Sequence, residues 1–89
     1  MAMFVVNHKV NDFSTWKLVY DAHQATRNKF GIHDHFVIQS ENDPNDITII
    51  GEGTEQHLRA FLASDELLNA MHSAGVIGEP KVIVGEDCL

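Results

Sequence analysis

Four short segments of the chain are rich in valine, isoleucine and phenylalanine, with loose alternation of apolar and polar residues in the first, and this pattern predicts four β-strands. The segments span residues 3–10, 32–40, 47–52 and 81–84. Apolar side chains occupy both alternating sets of the first segment, which is typical of a strand covered on two faces. We therefore expect the first strand to lie in the middle of a sheet. The acidic turn at 41–46 predicts a hairpin between the second and third strands.

A three- and four-residue spacing of large side chains predicts one long amphipathic helix between the first two strands. Asp12 is placed to cap the start of this helix, and Gly31 is placed to end it. The stripe consists of Phe13, Trp16, Tyr20, His23, Arg27 and Phe30.

A second helical region lies between the third and fourth strands. Thr54 and Ser64 are both good capping residues, so we expect this region to form two helical pieces. The element order is then β-α-β-β-α-β, which predicts a ferredoxin-like α+β fold with an antiparallel sheet. We find no linker or repeat and expect a single domain over 1–89.

The charge balance disfavours several classes of partner. Thirteen acidic residues against six basic ones give a formal charge of −7, which repels nucleic acids and anionic membranes. No apolar run approaches the ~18 residues needed to span a bilayer, and the start of the chain is unlike a signal peptide. Cys88 is the only cysteine, so an internal disulfide is impossible. A cytoplasmic location fits this composition.

Several segments resemble the small dimeric α/β-barrel proteins that include antibiotic-biosynthesis-monooxygenase-like chains. They are the stretches at 42–45, 61–71 and 74–80 and the run His8-x-Val10-x-Asp12-Phe13-x-x-Trp16-Lys17. The resemblance implies a homodimer whose two sheets face each other, with a pocket between sheet and helices. Monooxygenases of this family oxidise aromatic polyketides without a cofactor, so the resemblance implies that such chemistry is one option. Other relatives degrade haem, isomerise or decarboxylate small substrates. The oxygenases surround their substrate with asparagine, tryptophan, tyrosine and arginine, which suggests Asn7, Trp16, Tyr20 and Arg27 as substrate-binding residues.

The helix stripe and one strand residue are the candidates for catalysis. His23 could transfer protons, and Arg27 could bind an anionic group, if the stripe forms a pocket wall. The alternative is that Trp16 and Tyr20 are core residues with His23 and Arg27 at the rim. His8 lies in the first strand beside apolar neighbours, so it is either a hydrogen-bonded core histidine or the general base of a pocket.

His33 and His35 are weak candidates for metal ligands. Alternate residues of a strand point to one face about 7 Å apart, close enough to share an ion. Two ligands are too few for an ordinary zinc or copper site, and no local motif supplies a third. We therefore assign no metal and no cofactor.

The sequence favours a homodimeric protein that binds a small molecule. If it is an enzyme, we expect monooxygenase-like or isomerase- or cyclase-like chemistry on a small aromatic or carbonyl substrate, with His8 and His23 handling protons. The alternatives are a non-catalytic ligand-sensing dimer, a structural dimer, and a histidine-dependent metal-binding protein.

Overall fold

The structure, a computed structural model, describes residues 1–89 and contains four strands and four helices. The strands are β1 (Ala2–Val10), β2 (His33–Gln39), β3 (Asp46–Gly53) and β4 (Val76–Gly85). The helices are α1 (Phe13–Ala22), α2 (Gln24–Lys29), α3 (Glu55–Leu62) and α4 (Asp65–Ser73).

The strands form one antiparallel sheet in the order β2-β3-β1-β4. This order confirms the predicted ferredoxin-like α+β fold and the central place of β1. Residues Phe4, His8 and Val10 of β1 are buried, whereas the alternating residues are more exposed. The sheet therefore has a face that packs against the core and an open face.

The helix boundaries follow the predicted caps. Asp12 accepts a hydrogen bond from the Thr15 backbone N–H at 2.9 Å, and Thr54 and Ser64 cap α3 and α4 in the same way. Gly31 adopts a φ of 68° directly after the first helical region, a conformation that favours glycine. The second helical region forms two helices, as predicted.

The first helical region differs from the prediction of a single helix. It breaks into α1 and α2 at His23, which has φ −95° and ψ 15°. The His23 backbone N–H is shared between the carbonyls of Val19 and Tyr20, at 3.1 and 3.2 Å. Both helices still bury a residue of the predicted stripe, Trp16 in α1 and Arg27 in α2.

Strand β2 also departs from the predicted alternation. The pairing with β3 shifts register between Asp34 and Phe36, so a bulge lies at His35. A bulge places an extra residue in one strand and reverses the side-chain phase beyond it. Asp34 and Phe36 therefore lie on opposite faces of the sheet, whereas strict alternation would place them on one face.

Strand β4 begins earlier than predicted, at Val76 rather than at residue 81. Gly78 has a φ of 71°, and the pairing of β1 with β4 shifts register between Asn7 and Lys9. The segment 78–80, which lies before the predicted strand, is therefore an irregularity inside β4.

The core lies between the sheet and the helices. It contains ten buried apolar residues, among which Ile32, Ile47 and Leu58 are at most 1% exposed. Gly51 of β3 packs directly against the Phe4 ring. A Cβ atom added at Gly51 would lie 2.7 Å from that ring and 2.5 Å from the His33 carbonyl oxygen. Glycine is therefore required at this position for packing.

The open face of the sheet carries one apolar row that crosses all four strands. Phe36 pairs with Ile50, Ile50 pairs with Val5, and Val5 pairs with Ile83. Phe36 and Ile83 are 62% and 68% exposed. An apolar strip of this kind is unusual on a solvated sheet face.

No helix of this protein combines the length and the apolar character that crossing a membrane would require.

Candidate functional site

A cavity of ≈ 80 Å³ lies between the core-facing side of the sheet and the helices α1, α2 and α4. Its floor comes from the strands, and its walls come from the helices. The apolar lining includes Phe4, Trp16, Val19, Ile49, Phe61, Leu67, Ala70, Met71 and Ala74; the polar lining is His8, Tyr20, His23, Thr26, Arg27, Asp34 and Glu66.

Five of the six predicted site residues line this one cavity. They are His8 from β1, Trp16 and Tyr20 from α1, His23 from the α1–α2 junction, and Arg27 from α2. The helical spacing of three and four residues brings the four helix positions onto one wall. Their roles in binding or catalysis remain predictions.

Asn7 lies elsewhere. It pairs with Thr48 and Lys81 on the open face of the sheet, because adjacent residues of a strand point to opposite faces. Its side-chain amide donates hydrogen bonds to Asp46 Oδ1 at 2.8 Å and Thr48 Oγ1 at 3.0 Å. Asn7 therefore ties β1 to β3 and does not reach the cavity.

His8 is 6% exposed, and neither of its ring nitrogens has a hydrogen-bond partner. The ring meets Trp16 edge to face, with 5.7 Å between the ring centroids. Burial lowers the pKa of His8, and the carboxylate of Asp46 opposes this effect to a smaller extent. The imidazole is therefore neutral near pH 7, with one donor and one acceptor available.

Trp16, Tyr20 and Arg27 form a continuous stack along the helical wall. The Trp16 and Tyr20 rings are 4.8 Å apart and nearly parallel, and the Arg27 guanidinium carbon lies 3.8 Å from the centre of the Tyr20 ring. Burial raises the pKa of Tyr20, and the nearby carboxylate of Asp34 raises it further. The phenol is therefore protonated at all physiological pH values.

Arg27 is held by two fixed partners. Its Nη1 donates to the Tyr20 carbonyl oxygen at 2.7 Å, and its Nε lies against Asp34 Oδ2 in an ion pair. The Nε–H does not point at that oxygen, so the pair is a close charge contact without a well-directed hydrogen bond. The side chains are 6% and 14% exposed.

Asp34 was not among the predicted site residues. It lies just before the bulge at His35, opposite Gly51 of β3, and lines the cavity. The sequence of β2 offers no local signal for Asp34, because residues 33–35 are all polar and none of them stands out.

His23 contributes from the break between α1 and α2. Its Nδ1 lies 2.9 Å from the Val19 carbonyl oxygen. Since a carbonyl oxygen only accepts, Nδ1 carries the hydrogen in this contact, and Nε2 is left as an acceptor. His23 therefore offers an acceptor nitrogen from the same wall as Tyr20.

The cavity opens between α2 and α4. Glu66 of α4 lines the cavity and is exposed, and its Oε1 lies 3.4 Å from Lys29 Nζ of α2. This exposed ion pair is weak and does not close the opening permanently.

Six buried polar atoms of the protein have no hydrogen-bond partner, and all six belong to residues that line this cavity. They are His8 Nδ1 and Nε2, Tyr20 Oη, Arg27 Nε, and Asp34 Oδ1 and Oδ2. More than about 90% of buried polar groups in native proteins are satisfied. The concentration of exceptions around one cavity indicates a site that a ligand or water would complete.

The histidines at 33 and 35 are exposed and lie at the β2 bulge. His35 Nε2 lies 3.2 Å from Glu52 Oε1, and His33 pairs with Glu52 across the strands. No group of three or more histidine, cysteine, aspartate or glutamate side chains is arranged to hold a metal ion.

Solved structures of similar shape agree with the predicted resemblance at the level of the fold. SnoaB, a cofactor-independent oxygenase from Streptomyces nogalater, superposes with a TM-score of 0.74 and 18% identity over 99% of this chain and 95% of its own. A candidate antibiotic biosynthesis monooxygenase from Nitrosomonas europaea superposes with a TM-score of 0.75 and 15% identity over 100% of both chains. A conserved protein from Methanosarcina mazei Go1 superposes with a TM-score of 0.71 and 20% identity over 94% of this chain and 90% of its own.

Identities at this level establish a shared architecture and leave the chemistry open. Among curated proteins, none is similar in sequence to this chain. A family model does match, over residues 1–84, and its description is a domain of unknown function. Because that match covers nearly the whole chain, the protein belongs to the DUF3764 family.

Proposed function

We propose that this protein binds a small molecule in the cavity between the sheet and the helices. The observation that supports this proposal most strongly is the clustering of unpartnered polar atoms on His8, Tyr20, Arg27 and Asp34. An apolar lining with a few convergent polar groups is typical of small-molecule sites, and the volume of ≈ 80 Å³ restricts this cavity to a very small ligand.

The chemistry that the lining best supports is proton transfer without a cofactor. His8 is neutral near pH 7 and can accept a proton from an enolisable carbonyl compound or a phenol. The resulting imidazolium would be stabilised by the Asp46 carboxylate, which raises the pKa of His8. Tyr20 remains protonated and can donate to the developing oxyanion. The His8 imidazolium would return that proton at another atom of the substrate, the Nε2 of His23 would accept a hydrogen bond from a substrate hydroxyl, and Trp16 would pack against the ligand.

This arrangement suits a small aromatic or carbonyl substrate and is compatible with isomerase-like or monooxygenase-like reactions. In the latter case dioxygen would be the oxidant and the substrate would supply the electrons. That SnoaB, which shares the fold, is a cofactor-independent oxygenase is consistent with this proposal.

Trp16 provides the means to test the proposal, because it is the only tryptophan and lines the cavity. Small aromatic and carbonyl compounds should quench its fluorescence in a saturable manner and shift its indole resonance in NMR spectra. His8→Asn should weaken binding at least about tenfold. The matched control is His72→Asn, since His72 is exposed and does not line the cavity.

Turnover distinguishes an enzyme from a sensor. Solvent deuterium incorporation into a bound carbonyl compound, lost in His8→Asn, would establish proton abstraction. Binding that depends on His8 without any exchange would favour the ligand-sensing alternative. If no compound of either class perturbs Trp16, the proposed site is refuted.

We propose further that two copies associate through the open faces of their sheets. The row Phe36, Ile50, Val5 and Ile83 supports this, because water would otherwise cover a continuous apolar strip. Ile83→Asp should produce monomers in light scattering. Leu18→Asp, at a helix position that is 74% exposed, is the control and should leave the assembly unchanged. A wild-type monomer at micromolar concentration would refute this interface.

A further inference from the structure

We propose that the cavity selects electrically neutral ligands that carry a hydroxyl group, and that it rejects carboxylates despite containing an arginine. This inference rests on the proposed function and specifies its ligand class. It also replaces the expectation that Arg27 would bind an anionic substrate.

The charge of Arg27 is already matched inside the protein. Arg27 is 5% exposed and forms its ion pair with Asp34, so the two residues together add no net charge to the cavity. An anionic ligand would have to lose its hydration and would find no uncompensated cation in return. A neutral ligand avoids this cost.

The geometry of Arg27 leads to the same conclusion. Anion recognition by arginine uses two parallel N–H donors on one edge of the guanidinium. Here Nη1 donates to the Tyr20 carbonyl oxygen at 2.7 Å, and Nη2 faces Gln24 Oε1 at 3.4 Å. The Tyr20 ring covers the guanidinium at 3.8 Å. No free pair of donors is left for a carboxylate.

The unpartnered atoms point to a hydroxyl donor. Neither buried oxygen of Asp34 accepts a hydrogen bond of good geometry, although the Tyr20 hydroxyl lies close enough to this carboxylate for their contact to raise the pKa of Tyr20, and a carboxylate can only accept. His8 and Tyr20 can each accept or donate, so a hydroxyl group that donates to Asp34 and accepts from a neighbour would satisfy the site. The exposed Glu66 at the opening and the formal charge of −7 further oppose the entry of anions.

The test uses three probes that share one ring and differ in one substituent: benzyl alcohol, toluene and benzoate. Binding is followed through the Trp16 indole resonance at pH 7. We expect benzyl alcohol to bind at least about tenfold more tightly than benzoate, and more tightly than toluene. Benzoate that binds as well as benzyl alcohol would overturn the inference while leaving the proposed site intact. Failure of all three probes would count against the site itself.

A charge variant provides the sharper test. Asp34→Asn leaves Arg27 without its counter-charge, so benzoate should now bind at least about tenfold more tightly than to the wild type. The double variant Arg27→Gln, Asp34→Asn removes both charges and should again prefer the alcohol. If the single variant does not fold, the double variant alone tests the inference through its selectivity. Unchanged selectivity in Asp34→Asn, or a preference for benzoate in the double variant, would refute the role given to the pair.

Discussion

The ion pair between Arg27 and Asp34 permits a quantitative prediction about stability. The two side chains are 6% and 14% exposed, which places the pair in the buried class. Removing one partner of a buried pair costs about 3–5 kcal/mol, because the other charge is left without compensation. Replacing both by apolar residues of similar size is often close to neutral.

The loss of unfolding free energy in Asp34→Leu should lie near the lower end of this range, at about 3 kcal/mol. Arg27 would keep its hydrogen bond to the Tyr20 carbonyl oxygen and its contact with the Tyr20 ring. Arg27→Met should fall near the upper end, because Asp34 would then have no partner at either oxygen. The double variant Arg27→Met, Asp34→Leu should lose less than about 2 kcal/mol and show a favourable coupling of several kcal/mol.

Urea unfolding followed by Trp16 fluorescence, at one fixed protein concentration, measures these differences. A chain of 89 residues has a total stability of roughly 4–13 kcal/mol, so a single variant that is partly unfolded without urea agrees with the prediction. Arg59→Met is the matched control. Its partner is Glu55, the two side chains are 73% and 66% exposed, and the loss should stay within about 0.5 kcal/mol. A loss below about 1 kcal/mol for Asp34→Leu, or simple additivity in the double variant, would refute the reasoning.

Three further predictions concern other parts of the fold. Burial lowers the pKa of His8, so below about pH 6.5 the unfolded chain binds a proton that the native state does not, and the free energy of unfolding should fall as the pH drops. Urea midpoints measured across this pH range should depend less on pH in His8→Asn and as strongly as in the wild type in His72→Asn. Gly51→Ala should cost about 1–3 kcal/mol, since its Cβ would overlap a ring and a backbone oxygen, whereas Gly85→Ala, with open space around it, should be neutral in the same assay. Asp12→Ala should lose about 1 kcal/mol of unfolding free energy through the lost helix cap, and an unchanged midpoint would contradict the capping contact.

Local sequence rules were sufficient for most of the architecture. The caps at Asp12, Thr54 and Ser64 each accept the expected backbone hydrogen bond, because a cap involves only residues within one turn. The central position of β1 also followed from its own composition, since apolar residues occupied both of its faces.

The placement of Asn7 could have been predicted better from the same rules. Asn7 and His8 are consecutive residues of one strand, and consecutive side chains point to opposite faces. They cannot both line one cavity, so the two-residue period excludes Asn7 from a cavity that His8 lines, whatever the family resemblance suggests.

Asp34 was beyond such reasoning, because its orientation depends on how β2 pairs with β3. The register shift at His35 involves contacts between strands and leaves no trace in the alternation of β2 alone. The same holds for the unpartnered atoms of His8, since whether a buried histidine is satisfied depends on residues far away in the sequence.

The two irregularities of the fold are also what brings the polar residues of the site together. At the break in the first helical region the Tyr20 carbonyl oxygen accepts from the Arg27 guanidinium as well as from the His23 backbone. The bulge at His35 turns Asp34 toward that same guanidinium. A regular helix beside a regular strand would present the apolar residues correctly and would leave the carboxylate on the open face. Bulges are often found next to functional sites, and here the bulge brings the counter-charge that keeps the cavity neutral. Restoring a regular β2 by deleting His35 should therefore remove Asp34 from the cavity and, with it, the preference for neutral ligands.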